Sequence, residues 1–152
     1  MSTVEADGRG PYVGSMMRTT VNWIMDCIYE HVVAAGFDDL GRAHVRLFRF
    51  PTAEGLRPSE LADRLQVSKQ SVNDLLHDLE ARGYLVREPD PGDGRARVVR
   101  LTDRGRALED AAYEGAASAQ RLIAEQLGAR RFAQMRDALQ DVSARIVAGE
   151  LG

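Results

Sequence analysis

The chain has 152 residues, with 20 lysines and arginines against 23 acidic residues and a net charge of −3. It is long enough for one domain and scarcely for two, and its acidity excludes a protein that coats nucleic acid by bulk charge, though not one that binds through a local basic patch. Hydrophobic residues at 44% and charged residues at 28% form a globular balance that excludes global disorder.

A lone cysteine, Cys27, leaves no intramolecular disulfide and fits a reducing compartment. No apolar run approaches the ~20 residues that span a bilayer. Met1 to Gly14 lacks the apolar centre of a secretory signal and reads as a short Gly/Pro arm, so the expected location is the cytoplasm. Lys69 is the single lysine among the 20 basic residues.

After the arm, a helix is expected over residues 15–35. Val21, Ile24, Met25, Ile28 and Val32 recur at three- and four-residue spacing, and Gly36 stops it. Asp38 and Asp39 are placed to cap a second helix that runs to Phe50, with Leu40, Leu47 and Phe48 on one face. Pro51 ends it, and residues 51–57 are a loop.

Pro58 occupies a first helical turn. Residues 58–66 predict a short helix with Leu61, Ala62 and Leu65 inward. Val67 and Ser68 turn the chain, and Ser68 caps a helix over 69–82 that buries Val72, Leu75, Leu76 and Leu79. Ala62 is the small residue that a steep crossing of two short helices requires. Such turns usually hold a glycine where this chain has Gln66, so Gln66 is expected to adopt a left-handed conformation at some strain. The spacing favours a helix–turn–helix, the alternative being a plain helical hairpin with no DNA role.

Beyond Gly83 the period changes. Tyr84–Glu88 and Arg97–Leu101 predict two strands around the turn-rich segment PDPGDGRA, a hairpin. Thr102 caps the next helix. Residues 103–148 are helical with a break near Gly128. Leu108, Ala112, Leu122, Ile123 and Leu127 precede the break, and Phe132, Met135, Leu139, Val142 and Ile146 follow at helical spacing. The terminal stripes need a partner, and in so short a chain a second subunit is a natural one. The fold class is mainly α with a two-stranded β wing.

Three features carry chemistry. The helix over 69–82 exposes Ser68, Lys69, Gln70, Ser71, Asn73, Asp74 and His77. Lys69 suits guanine or a phosphate, Gln70 and Asn73 suit adenine, and Ser68 and Ser71 suit phosphates; each is otherwise an ordinary solvated side chain. Residues 95–106 hold five arginines (Arg95, Arg97, Arg100, Arg104, Arg106) and one acid, Asp103, the local basic patch that the overall charge leaves open. Cys27 and His31, four apart, share a helix face and form a weak candidate pair for a metal or redox sensor. The chain contains no HExxH, GxSxG, glycine-rich phosphate loop or CxxC motif, and its three histidines lie on different elements, so no enzyme is expected.

The stretch RPSELADRLQVSKQSVNDLLHDLEARGYLVREPDPGDGRARVVRLTDRG, Arg57 to Gly105, resembles the multiple-antibiotic-resistance repressor (MarR) family of bacterial winged helix-turn-helix regulators. The Asp-X-Arg of the wing, Asp93 and Arg95, is its most specific part. The resemblance implies a homodimer that binds a double-stranded, pseudo-palindromic operator and acts as a ligand-responsive repressor. Residues 15–35 and 107–148 would be the dimerisation helices, and 36–106 the DNA-binding lobe. The helix over 69–82 would enter the major groove. Arg95, held by Asp93 and accompanied by Arg97, would reach the minor groove. No cofactor is implied beyond a small aromatic effector. Trp23, Met25, Tyr29, His44 and Phe48 would line its pocket, or they pack as ordinary aromatic core. Asp74 departs from the family, where many members carry arginine; a carboxylate there repels phosphate unless an arginine or a cytosine amino group meets it. The alternative readings are a metal- or redox-sensing regulator using Cys27 and His31, and a winged helix serving as a protein-interaction module. The arginine-rich wing argues against the last.

Overall fold

The computed structural model describes residues 12–48 and 52–150. The described residues divide into two compact units, one up to Ala116 and the other from Ala117. No described helix is long and apolar enough to cross a membrane.

Helix α1 (Val13–Ala34) begins before the expected Ser15, so the last two residues of the expected arm are helical; the rest of that arm up to Pro11 lies outside the described residues. The second helix is shorter than its apolar pattern suggests. It comprises α2 (Arg42–Val45) and a 3₁₀ turn at Arg46–Phe48, while the expected end at Phe50 and Pro51 falls outside the described residues. Asp38 and Asp39 do not cap it. Gly41 is the cap residue, and its N–H donates to His44 Nδ1 at 3.1 Å. Asp39 is instead drawn to Tyr84 and Arg104, with which it makes charge-assisted hydrogen bonds that outweigh a neutral cap.

Helices α3 (Pro58–Leu65) and α4 (Lys69–Ala81) form the helix–turn–helix. Between them Gln66 adopts φ 53°, ψ 45°, the only described non-glycine residue with positive φ. Ser68 caps α4 by accepting from Ser71 N–H at 3.0 Å. Leu61, Ala62, Val72, Leu76 and Leu79 are buried, each of the larger ones contributing about 1.5–3 kcal/mol of transfer free energy.

The hairpin strands β1 (Leu85–Asp90) and β2 (Asp93–Leu101) pair antiparallel from Leu85↔Leu101 to Asp90↔Asp93, with an irregularity between Pro89 and Asp90. The ladder therefore extends through most of the segment expected to be turn and leaves only Pro91 and Gly92 at the tip. Asp90 makes the short turn feasible by accepting the Gly92 N–H at 2.8 Å, an Asx turn. At its base the hairpin is fixed to the chain before α3: Gly55 N–H donates to Val99 O at 2.8 Å and Val99 N–H to Leu56 O at 2.9 Å.

Helix α5 (Asp103–Leu127) starts where Thr102 Oγ1 accepts Gly105 N–H, as its cap position requires. Gly105 lies so close to the preceding chain that a Cβ there would stand 1.9 Å from Tyr84 O. Farther along, Gly115 brings α5 against α1; a Cβ would stand 2.9 Å from Ile28 Cα. Gly128, at φ 77°, separates α5 from α6 (Ala129–Val147). No residue of α6 is buried, and Leu139, Val142 and Ile146 are exposed.

The core of the first unit centres on Tyr84, wholly buried against Phe37 and Phe48. Its hydroxyl is the polar exception, and two groups satisfy it. It donates to Asp39 Oδ1 and accepts from Arg104, whose guanidinium also stacks 4.3 Å over the ring. Burial, and then the hydrogen bond to Asp39, push the phenol up to about 12.

Candidate nucleic-acid interface

The apolar spacing of α4 orients its surface. With 100° per residue, Gln70, Asp74 and His77 form a line on the side opposite Val72, Leu76 and Leu79; all three are exposed. Lys69 and Asn73 flank the line on one side and Ser71 on the other. Within this set the side chains are not equally free. Ser68 and Ser71 hydroxyls meet at 2.8 Å while Ser68 caps the helix. Asn73 Nδ2 donates to Lys69 O at 2.9 Å. Lys69, Gln70 and Asp74 make no side-chain hydrogen bond or ion pair among the described residues. These three, with His77, are the groups of α4 most available to a ligand. Asp74, which departs from the pattern that the resemblance implies, stands in the middle of the outward line.

The arginines after the turn are divided by the fold. Arg104 and Arg106 lie on α5, not on the wing, where they pair with Asp39 at 3.0 Å and Asp103 at 3.3 Å. Arg100 pairs with Glu54 and Glu88. Arg97 is on the wing, and its guanidinium donates to Arg87 O at 3.0 Å. Arg95 alone of the five has a guanidinium without a hydrogen bond or ion pair among the described residues. A run that counts as strongly positive by composition thus presents one unpaired cation near the hairpin tip. Arg100 and Arg104 are compensated by acidic residues remote in sequence, Arg106 by its helical neighbour Asp103, and Arg97 is held by a backbone carbonyl.

Asp93 does not hold the Arg95 side chain. Its Oδ1 accepts the Arg95 backbone N–H at 3.2 Å, and its Oδ2 faces Arg57 at 3.8 Å. Asp90 is bonded more tightly to Arg57, at 2.7 Å from Nε and 2.5 Å from NH2. The Gly92 N–H, followed by Arg57, holds the Asp90 carboxyl below the usual carboxylate range. Arg57 precedes the helical spacing of α3, so its role on the wing had no signature in the linear pattern.

The C-terminal end of α4 is also charge-paired. Arg82, followed in effect by His44, lowers the Asp78 carboxyl from its ordinary value. His44 Nε2 lies 2.8 Å from Asp78, and its Nδ1 accepts the Gly41 N–H, so the proton is assigned to Nε2. His44 borders a cavity of about 500 Å³ whose walls include Ala43, Leu65, Val67 and Leu75. The other expected effector residues lie elsewhere. Trp23 is exposed, Phe48 is buried against Tyr84, and Met25 packs at the core edge. Tyr29 donates its hydroxyl to Leu40 O while Arg42 covers its ring.

Cys27 and His31 are not joined into a larger ligand set. His31 reaches Glu114 at 3.4 Å, and no cluster of three or more metal-ligating side chains occurs among the described residues. Burial first, then Glu30 and Asp26, push the Cys27 thiol up, which disfavours the thiolate that metal binding and oxidation need.

Comparison with known proteins adds sequence and fold relatives. A profile of the MarR family matches residues 38–96. The HTH-type transcriptional regulator PetP of Rhodobacter capsulatus is 33% identical over 103 residues, which cover 67% of this chain and 62% of PetP; the match therefore spans about three fifths of that relative. A MarR transcriptional regulator from Methanosarcina mazei has the same fold, with a TM-score of 0.71 at 20% identity over 90% of this chain and 96% of its own. The transcriptional repressor CouR, bound to a 23-mer DNA duplex, gives 0.67 at 25% identity over 96% of this chain and 99% of its own. CouR from Rhodococcus jostii, bound to p-coumaroyl-CoA, gives 0.64 at 26% identity over 86% and 90%. The residues matched by the MarR profile hold the helix–turn–helix and most of the two-stranded wing, so the chain has the winged-helix fold shared by the MarR-family regulators it is similar to.

Proposed function

We propose that this protein is a homodimeric repressor that reads a pseudo-palindromic operator in double-stranded DNA. The observation that carries the reading is the pairing of an outward α4 surface (Lys69, Gln70, Asp74, His77) with a narrow hairpin bearing an unpaired Arg95. Helix α4 suits the major groove, where amide, carboxylate and ammonium groups distinguish base edges. A guanidinium on a thin hairpin suits the narrow minor groove. The DNA-bound CouR, similar over almost the whole chain, supports the same use of the fold.

The apolar stripe of α6 supports the dimer. Phe132 and Met135 are half-buried and Leu139, Val142 and Ile146 exposed in the single chain, a pattern that a second copy would cover. In this reading residues 15–35 and 107–148 are the dimerisation helices and 36–106 the DNA-binding lobe, acting in the cytoplasm without a resident cofactor. Release by a small aromatic effector is part of the proposal, supported by p-coumaroyl-CoA on CouR. Such a ligand must bind the DNA-free arrangement more tightly, and by linkage DNA weakens its binding equally.

Selection of bound duplexes from a random pool tests the reading. Enrichment of a two-fold-symmetric sequence, with affinity that falls steeply as salt rises, is the expected result. Recovery of unrelated sequences, or binding insensitive to salt, overturns it.

A further inference from the structure

We propose that Arg57, at the start of α3, is the positioning residue that sets the wing tip so that Arg95 can reach DNA; this rests on the DNA-binding reading above. The hairpin is well anchored only at its base. Val98, Val99 and Leu101 are buried, whereas residues 91–95 are all exposed. From Val98 to Asp93 the strand extends about 16 Å at ~3.3 Å per residue with no buried apolar side chain. A two-stranded ribbon of this kind is only marginally stable without support.

Arg57 supplies that support from outside the hairpin. Its guanidinium bonds Asp90, the last residue of β1, through Nε and NH2, and faces Asp93, the first residue of β2, through NH1. The two aspartates are register partners that bracket the Pro91–Gly92 turn. Each also fixes the turn backbone with its other oxygen, Asp90 on Gly92 N–H and Asp93 on Arg95 N–H. The Arg57 latch therefore fixes the carboxylates that define the backbone at Arg95. Arg57 itself is spent in these contacts. Its backbone N–H is bound to Glu60 Oε2 at 2.7 Å, which keeps the start of α3 intact when the side chain is changed.

A cycle of variants on the selected operator tests the role. Arg57→Gln should weaken binding about tenfold and lower the salt slope by about one contact, the same change expected of Arg95→Ala. In the Arg95→Ala background the same change should cost less than about twofold. Asp90→Asn should also weaken binding, because it breaks the latch from the wing side, and Arg57→Lys should restore part of the affinity. Amide exchange at Gly92, Gly94 and Arg95 should quicken in Arg57→Gln without DNA. An equal loss from Arg57→Gln in both backgrounds, or unchanged or tighter binding by Asp90→Asn, means that Arg57 meets DNA directly and overturns the proposal. Absence of sequence-preferring binding by the unmodified protein instead removes the DNA reading, and this role with it; slow exchange retained at the tip in Arg57→Gln removes the latch alone.

Discussion

The Tyr84 hydroxyl donates to Asp39 Oδ1 across 2.5 Å, joining the chain before α2 to the base of the wing. Because the phenol is raised to about 12, from an ordinary value near 10 in the unfolded chain, the protonated form is the one the fold favours. Its contribution to stability is complete below pH ~10 and is lost between pH ~10 and ~12. Asp39 has the opposite sign: Tyr84 first, and then Arg104 against an opposing desolvation, holds its carboxyl low, so its contribution is present above the ordinary carboxylate value and is lost as pH falls through the folded one. Tyr84→Phe should cost about 1–3 kcal/mol at neutral pH and flatten the alkaline decline. Denaturant melts across this range check both, and an unaltered alkaline slope in Tyr84→Phe counts against the assignment.

Gly105→Ala should be among the most damaging substitutions in the chain. The new methyl would meet the Tyr84 carbonyl at 1.9 Å, and this is backbone that cannot swing aside. Overpacking costs about 1–3 kcal/mol even where side chains can yield, so a loss at or above that range is expected in chemical denaturation. A variant as stable as the parent would show that α5 can shift its start.

Gln66→Gly should stabilise the protein by about 0.5–1 kcal/mol. Left-handed φ costs a non-glycine residue about 1–2 kcal/mol, partly offset by the freedom glycine adds to the unfolded chain. Equilibrium unfolding should move to higher denaturant; a shift in the other direction would mean that the Gln66 side chain supplies an interaction that exceeds the strain.

Asp74→Ala should relax sequence preference at one position of each half-site. An unpaired carboxylate in the middle of the α4 line can accept from an exocyclic amino group, such as that of cytosine, and is repelled by phosphate. Discrimination of about 1–3 kcal/mol is at stake. Repeating the random-pool selection with this variant should give a logo that loses that one position and keeps the rest. An identical logo sinks the contact.

Leu139→Glu combined with Ile146→Glu should yield a monomer in sedimentation equilibrium, since both residues lie on the uncovered stripe of α6. Retention of a dimer would place the interface on other helices.

Much of the fold is legible in the sequence because it is local. Pro58, Ser68, Gly83, Thr102 and Gly128 mark element boundaries through backbone rules that need only a few neighbours, and even the left-handed Gln66 follows from what the turn requires. The errors arise where a distant residue competes. Asp39 reads as a cap until Tyr84 and Arg104 claim it. Arg100, Arg104 and Arg106 read as parts of a basic patch until Glu54, Glu88, Asp39 and Asp103 compensate them. Asp93 reads as the holder of Arg95, but its other oxygen is turned towards Arg57. On α4, periodicity finds the exposed face, yet only the structure separates Lys69, Gln70 and Asp74 from Asn73, which is bonded to its own helix.

The two parts of the proposed DNA surface are fastened very differently. The C-terminal end of α4 is joined to the start of α5 by Thr102 on Gly83 O and Arg104 on Arg82 O, and its inner face is fully buried. The far end of the wing depends on charged contacts at an exposed tip. Stiffness should therefore be graded along the surface. Amides of Val72 to Leu79 should open only with global unfolding, while those around Gly92 open by local, low-energy excursions. A rigid element can be matched to bases with little ordering entropy, whereas a compliant one can follow variations in groove width from one site to the next.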